Sequence, residues 1–309
     1  MTGYILRRLL QVLPTLAGVA VLTFVLMRVL PGDPTLMFGQ TVSEDVRARL
    51  RAEWHLDDPP LQQFWHYVKG VPFLDLGVSM KLGVPVRDLI LDYFVRTAQL
   101  AAAAFVLAVT LGLSIGILAA LMKDTWVDRA CMFVALLGIS TPVFVVGIGA
   151  ILIAVALGWR HISGTGPGDG LDPRYLVLPA MTLGSRSIAY LARMTRASVL
   201  EVSTADYLRT ARAKGLPEHT VVLKHLLKNA MIPIITVIGL SLADYLTGAI
   251  LTETVFQWPG LGFLIKNAIL FRDLPVIMGT VLFTTFIFVT MNFVVDLLYA
   301  WFDPRIRFG

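Results

Sequence analysis

STADYLRTARAKGLPEHTVVLKHLLKNAMIP, residues 203–233, is a polar, basic stretch set between two long hydrophobic runs. Ser203 and Asp206 have capping-box spacing, which predicts a helix start. That helix runs through Tyr207, Leu208 and Ala211 and stops at Gly215, a residue suited to a left-handed C′ position, with Pro217 two places on. Pro217 suits the first turn of a second helix, over 218–228, because proline loses no needed N–H there. A loop this long, basic and well punctuated implies a docking element for a soluble partner, presented at a membrane surface.

The flanking composition sets that surface. The chain has 309 residues, 56% hydrophobic and 15% charged, with a mean hydropathy of +0.74. Soluble domains carry about 25% charged residues, so the balance is that of a polytopic membrane protein. The single cysteine, Cys131, excludes an internal disulfide framework and a cysteine-cluster metal centre, and reads as a packing residue.

Working outward, residues 9–27 form an apolar run preceded by Arg7 and Arg8. The run is long, lacks a small-residue cleavage site and ends in Arg28, so it reads as a retained span. Residues 31–96 are polar, with seven Lys/Arg against nine Asp/Glu, and hold two expected helices. Ser43 caps one that carries Val46, Leu50 and Trp54; Pro59-Pro60 opens the next, with Phe64, Trp65 and Tyr67. This segment is a cap lying at the bilayer interface, a receptor surface for an external protein, or both. Five further spans are expected at 97–122, 130–157, 175–192, 229–252 and 276–295, which makes six. The loop 193–228 carries seven Lys/Arg against three Asp/Glu and falls on the same side as Arg7/Arg8, the 123–129 turn and the basic C-terminal tail. Positive residues mark the cytoplasmic side, which places both termini and the organising loop there and 31–96 outside. The fold class is all-α and integral to the membrane.

No catalytic constellation stands out. Gly112-Leu113-Ser114-Ile115-Gly116 matches a nucleophile-elbow pattern, but it lies mid-span with no acid or histidine nearby, and the Gly–Gly spacing of four favours close helix packing. Of five histidines, His219 and His225 come closest along the chain, six apart and on different helix faces, so no metal site is expected. No Gly-Lys pair exists to form a P-loop, so nucleotide would have to be bound by another subunit. Thr141-Pro142 is expected to kink the 130–157 span, as a shape-setting break or a flexible point. Arg186 and Asp244 are charges inside spans, about 16 and 13 Å from the outer ends at 1.5 Å per residue. Such charges are costly in a bilayer and face a partner or a cavity. Either they pair structurally, or they line a water-filled path where Arg186 meets a carboxylate and Asp244 an ammonium. A proton-coupled secondary transporter would need repeats or broken helices that the sequence does not display.

Five motifs stand in order: Leu30-Pro31-Gly32-Asp33-Pro34; Ile139-Ser140-Thr141-Pro142; Tyr207-Leu208-Arg209-Thr210-Ala211-Arg212-Ala213-Lys214-Gly215; Phe256-Gln257-Trp258-Pro259-Gly260-Leu261-Gly262; and Asp303-Pro304-Arg305-Ile306-Arg307. With them the whole chain resembles a B-type permease of the oligopeptide, dipeptide and nickel importers of the ABC superfamily. The resemblance implies a type I importer fold, with an N-terminal helix and external segment over 1–92 and a permease core over 93–300. It also implies a second related permease, two cytoplasmic ATPases that hold ATP and magnesium, an external solute-binding protein, and no cofactor or nucleic acid bound by this chain. The loop 197–228 corresponds to the coupling loop, with Asp206, Tyr207, Arg209, Thr210, Ala211, Arg212, Lys214 and Gly215 as the ATPase-coupling residues. Where the family pattern begins Glu-Ala-Ala, this chain has Arg209-Thr210-Ala211, so a salt bridge from the usual glutamate is not carried over. Arg186, Asp244 and Pro142 are the candidate pathway residues. The implied place is the bacterial inner membrane, and the implied cargo is a di- or oligopeptide, with glutathione and nickel as alternatives.

Overall fold

The computed structural model describes residues 2–29, 35, 43–166, 172–247 and 249–302, and these are almost entirely helical. The helices, in order, are α1 (Thr2–Val29), α2 (Glu44–Glu53), α3 (Pro60–Val68), α4 (Val86–Leu121), α5 (Trp126–Ser140), α6 (Val143–Ala156), α7 (Pro173–Ser203), α8 (Asp206–Ala213), α9 (Glu218–Thr220), α10 (Leu227–Thr247), α11 (Ile250–Val255), α12 (Leu261–Phe271) and α13 (Leu274–Phe302). The motifs Leu30–Pro34 and Asp303–Arg307 lie outside the described residues. Packing divides the chain into two units. The first takes the N-terminal part to Thr97 with Pro259–Phe293; the second takes Ala98–Trp258.

In the first unit, α2 and α3 begin where the sequence predicts, at Ser43 and at the Pro59-Pro60 pair. Phe64 of α3 meets Phe24 of α1 edge-on at 5.3 Å between ring centroids, and Arg28 donates to Gln63 Oε1 at 2.9 Å. The polar segment thus folds back onto the first helix. The core joins Val86 and Ile90 of α4 to Leu264 and Ala268 of α12 and Val276 and Ile277 of α13. The buried Asp273 carboxylate, at the α12–α13 junction, ties the loop before α4. It accepts from Ser79 Oγ at 2.5 Å and from the backbone N–H groups of Met80 and Lys81 at 3.1 and 3.2 Å. These three donors satisfy a carboxylate that burial would otherwise strand.

The second unit is built around α7. Asp172 caps it by accepting from Arg174 N at 3.0 Å, and Pro173 fills the first turn. Eleven of its residues are buried, among them Ala180, Thr182, Gly184, Ala189, Ala192, Thr195 and Ser198. Such small side chains let neighbouring backbones approach closely. Gly112 and Gly116 of α4 both face α7: a Cβ at Gly116 would stand 2.6 Å from the Ala192 carbonyl oxygen, and one at Gly112 2.7 Å from Leu191 Cβ. Gly116→Val is therefore expected to destabilise the chain by about 1–3 kcal/mol through overpacking. Thermal unfolding of the detergent-purified protein reads this, and an unchanged midpoint would refute the close crossing.

Two span expectations change. The 130–157 segment is two helices and not one kinked helix: α5 and α6 meet at 116° across Thr141-Pro142, the geometry of a broken span or a re-entrant pair. Thr141 is extended and Pro142 is the N-cap of α6, so the proline starts a new helix instead of interrupting one. Each half is only about 22 Å long, less than the ~30 Å hydrocarbon core. The 175–192 segment lies within α7, which is too polar to qualify as a span by composition. Helices Gln11–Val29, Val86–Leu121 and Leu274–Val295 do qualify, and counting each bent pair as one span raises the number to five among the described residues. Eleven of the 31 residues of α7 are buried within the second unit, small polar ones among them, and these lower its hydropathy.

Candidate functional site

The organising loop starts later than its sequence suggests. Ser203 is the last residue of α7, and its hydroxyl donates to Leu200 O at 2.7 Å. The N-cap of α8 is Ala205, with no side-chain cap, so the Ser203/Asp206 capping box does not form. Hydrophobic burial extends α7 to that point: Val199 joins a cluster with Ala120, Leu208, Ala211, Val221, Leu226 and Ala230.

At eight residues, α8 is too short to be stable by its own hydrogen bonds. Leu208, fully buried, holds it against that cluster, and truncating such a leucine costs about 2–5 kcal/mol. Ala211, three residues on, shares the inward face and is also buried. Of the residues expected to couple to the ATPase, Ala211 is thus the one that packs within its own chain. Asp206, Tyr207, Arg209, Thr210, Arg212, Lys214 and Gly215 are all exposed.

The end of α8 is a Schellman turn. Gly215 has φ +76°, its N–H reaches Arg212 O at 2.9 Å, and Leu216 N–H reaches Ala211 O at 3.4 Å. Across the turn, Arg212 grips Glu218 with two bonds, Nη2–Oε1 at 2.7 Å and Nε–Oε2 at 3.1 Å. The guanidinium holds the Glu218 carboxyl below its usual range. This strap is complete above the ordinary carboxylate range and is lost only as pH falls through the lowered value. The second loop helix does not stop near 228. It passes from α9 through a π-helical stretch, Val221–Leu226, straight into α10.

One anchor was not foreseen from sequence. Asp128, at the start of α5, pairs bidentately with Arg196 of α7: Nε–Oδ1 2.6 Å and Nη2–Oδ2 2.7 Å. Its Oδ2 also accepts from Asp124 N at 3.1 Å. Thr125, the α5 N-cap, accepts from Asp128 N, so an N-cap threonine with an acid three places on was the available signal. The partner, 68 residues away, was not.

On α7, Arg186, Tyr190 and Arg193 are exposed, at spacings of four and three. They form one polar stripe on a helix that buries eleven of its 31 residues, and of the three only Arg186 stands out by its charge within an expected span. Among the described residues no carboxylate pairs with Arg186. The Asp244 side chain lies outside the described residues. A cavity of about 730 Å³ on the other side of α7, lined by Cys131, Val146, Met181 and Ala192 among others, is almost wholly apolar and does not suit a charged solute. Pro142 sits at the α5–α6 break.

Comparison with known proteins bears on this arrangement. Residues 112–308 match the family described as "Binding-protein-dependent transport system inner membrane component", and residues 1–101 match "Binding-prot-dependent transport system membrane comp, N-term". The chain is 43% identical over 311 residues, all of both chains, to the glutathione transport system permease protein GsiC of Escherichia coli K12. It is 42% identical over 315 residues, again end to end, to a putative peptide transport system permease protein of Brucella abortus. Among solved structures, it resembles the inward-facing MetNI methionine ABC transporter with a TM-score of 0.55 at 18% identity, over 70% of this chain and 96% of that one. An amino acid ABC transporter crystallised with histidines gives 0.53 at 15%, over 75% and 96%.

Proposed function

We propose, from the premise that this chain belongs to the family of binding-protein-dependent transport system inner membrane components, that it forms half of a translocation path for small peptides and couples it to ATP hydrolysis through α8. The chain is a permease subunit of an ABC importer, a multi-pass protein of the bacterial inner membrane. In our reading it crosses the membrane six times with both termini inside, and residues 1–92 precede a permease core over 93–300. It works with a second related permease, two ATPases that carry ATP and magnesium, and an external solute-binding protein.

One observation carries the coupling role: α8 is pinned by Leu208 while its polar face stays free. A helix fixed on one side and exposed on the other moves with α7 and α10 as a rigid element. ATPases that close on Tyr207, Arg209, Thr210 and Lys214 thereby drive a switch between inward- and outward-facing states. The cargo assignment draws on Arg186, Tyr190 and Arg193. A stripe with two guanidiniums is unfavourable against lipid and favours carboxylate groups, which a peptide or glutathione supplies. The names borne by the relatives at 42–43% identity support the same solute class. Nickel, as a chelate, is the alternative cargo.

Uptake of labelled dipeptides and glutathione in cells lacking this chain tests the assignment. Wild type is expected to restore uptake, and Arg186→Ala to lower it about tenfold or more at equal membrane abundance. If wild type restores neither solute, the peptide reading falls; if Arg186→Ala transports normally, the stripe has no part in the path.

A further inference from the structure

The turn between α2 and α3 brings together two histidines that lie eleven residues apart, a pairing that spacing along a single helix does not reveal. The rings of His55 and His66 stack at 4.6 Å between centroids, inclined by 21°. His55 Nδ1 lies 3.0 Å from Asp58 Oδ2. One ligand atom from each of His55, Asp58 and His66 falls within 4.8 Å of the others.

We propose that His55, Asp58 and His66 bind a divalent transition-metal ion, zinc being the best fit. Two imidazoles and a carboxylate are a ligand set for such ions, with positions left open for water. At metal–ligand distances of about 2.0–2.2 Å, the ligands of one ion stand roughly 3–3.5 Å apart. The His55–Asp58 pair already has that spacing at 3.0 Å, and His66, within 4.8 Å of both, has to close in on the ion by less than about 2 Å. Two observations mark the spot as one that attracts a cation and a polar occupant. Lys69 Nζ lies 3.3 Å from His66 Nδ1, so an ammonium already approaches one of the ligand groups. The two histidines also line a cavity of about 270 Å³ together with Trp54, Tyr67 and Asp75. The buried Tyr67 hydroxyl there has no hydrogen-bond partner among the described residues. A bound ion clamps the end of α2 to α3. The inference rests on this cluster and is independent of the cargo.

The test is calorimetric titration of zinc chloride into the full-length chain, purified with its partner subunits and stripped of metal by chelator. One zinc per chain is expected, with affinity reduced about tenfold or more in each of His55→Ala and His66→Ala. Lys69→Ala removes the competing cation and is expected to tighten binding several-fold, a gain that misfolding cannot produce. Absence of saturable binding overturns the proposal. So does binding that neither histidine variant weakens, or an affinity that Lys69→Ala leaves unchanged.

Discussion

Gly215→Arg is expected to leave the chain in the membrane at wild-type abundance and to abolish ATP-driven uptake. The reason is conformational. Gly215 holds φ +76°, and its turn closes α8 through the bonds from Gly215 N to Arg212 O and from Leu216 N to Ala211 O. An L-residue in that conformation costs about 1–2 kcal/mol. No atom lies within 4 Å of where its Cβ would be, so the new side chain meets open space and the fold survives. The strain is released locally, by re-aiming the end of α8 and loosening the Arg212–Glu218 strap beside it. Those positions carry the exposed face proposed to meet the ATPase. Gly215→Asn, which tolerates the left-handed region, is expected to keep most of the activity. Uptake and membrane abundance, measured together for both variants, decide the matter. Gly215→Arg with full uptake would sink the coupling role of this turn, whereas loss of uptake in Arg but not Asn locates it in the backbone conformation.

The second large effect is expected at Asp128. Asp128→Ala removes a carboxylate that accepts three hydrogen bonds and leaves the Arg196 guanidinium without its partner. Breaking a fully buried pair in this way costs about 3–5 kcal/mol. Here the Asp128 side chain is 4% exposed, but that of Arg196 is 26% exposed and regains water when released. A loss of about 2–3 kcal/mol is therefore expected, nearer the value for hydrogen bonds to charged groups. The function suffers as well, because Arg196 lies seven residues before the end of α7. The pair fixes the α4–α5 turn to the helix that carries α8, so its loss lets the two move separately. Thermal unfolding of Asp128→Ala, Arg196→Ala and the double variant gives the coupling directly. The double variant is expected to be less destabilised than the sum of the two single ones. Strict additivity would show that the contact contributes nothing.

Some of this was legible in the residues because it depends on near neighbours. Composition alone placed the chain in a membrane. Pro59-Pro60 started α3, and Gly215 ended α8, because these residues act through their own backbone angles. The Gly112/Gly116 pair signalled a close crossing, although not which helix it crosses. The motifs in series pointed to the importer permeases.

Other features depended on what each residue meets, and local pattern misread them. Ser203 had the spacing of a cap, but burial of Val199 carried α7 through it. Nothing local told Ala211 apart from its exposed neighbours, and its position three residues after Leu208 turned it into the core. Pro142 promised a kink and produced a 116° reversal between two helices. Spacing within helices said nothing of His55 with His66, and a turn joined them. The membrane class, the family and the turn at Gly215 were thus determined by the sequence alone, through hydropathy and backbone preference, which act over a few residues. Which charges pair, which face of α8 is free and which face of α7 is buried were decided only by tertiary packing, which sets partners such as Asp128 and Arg196 side by side across 68 residues of chain.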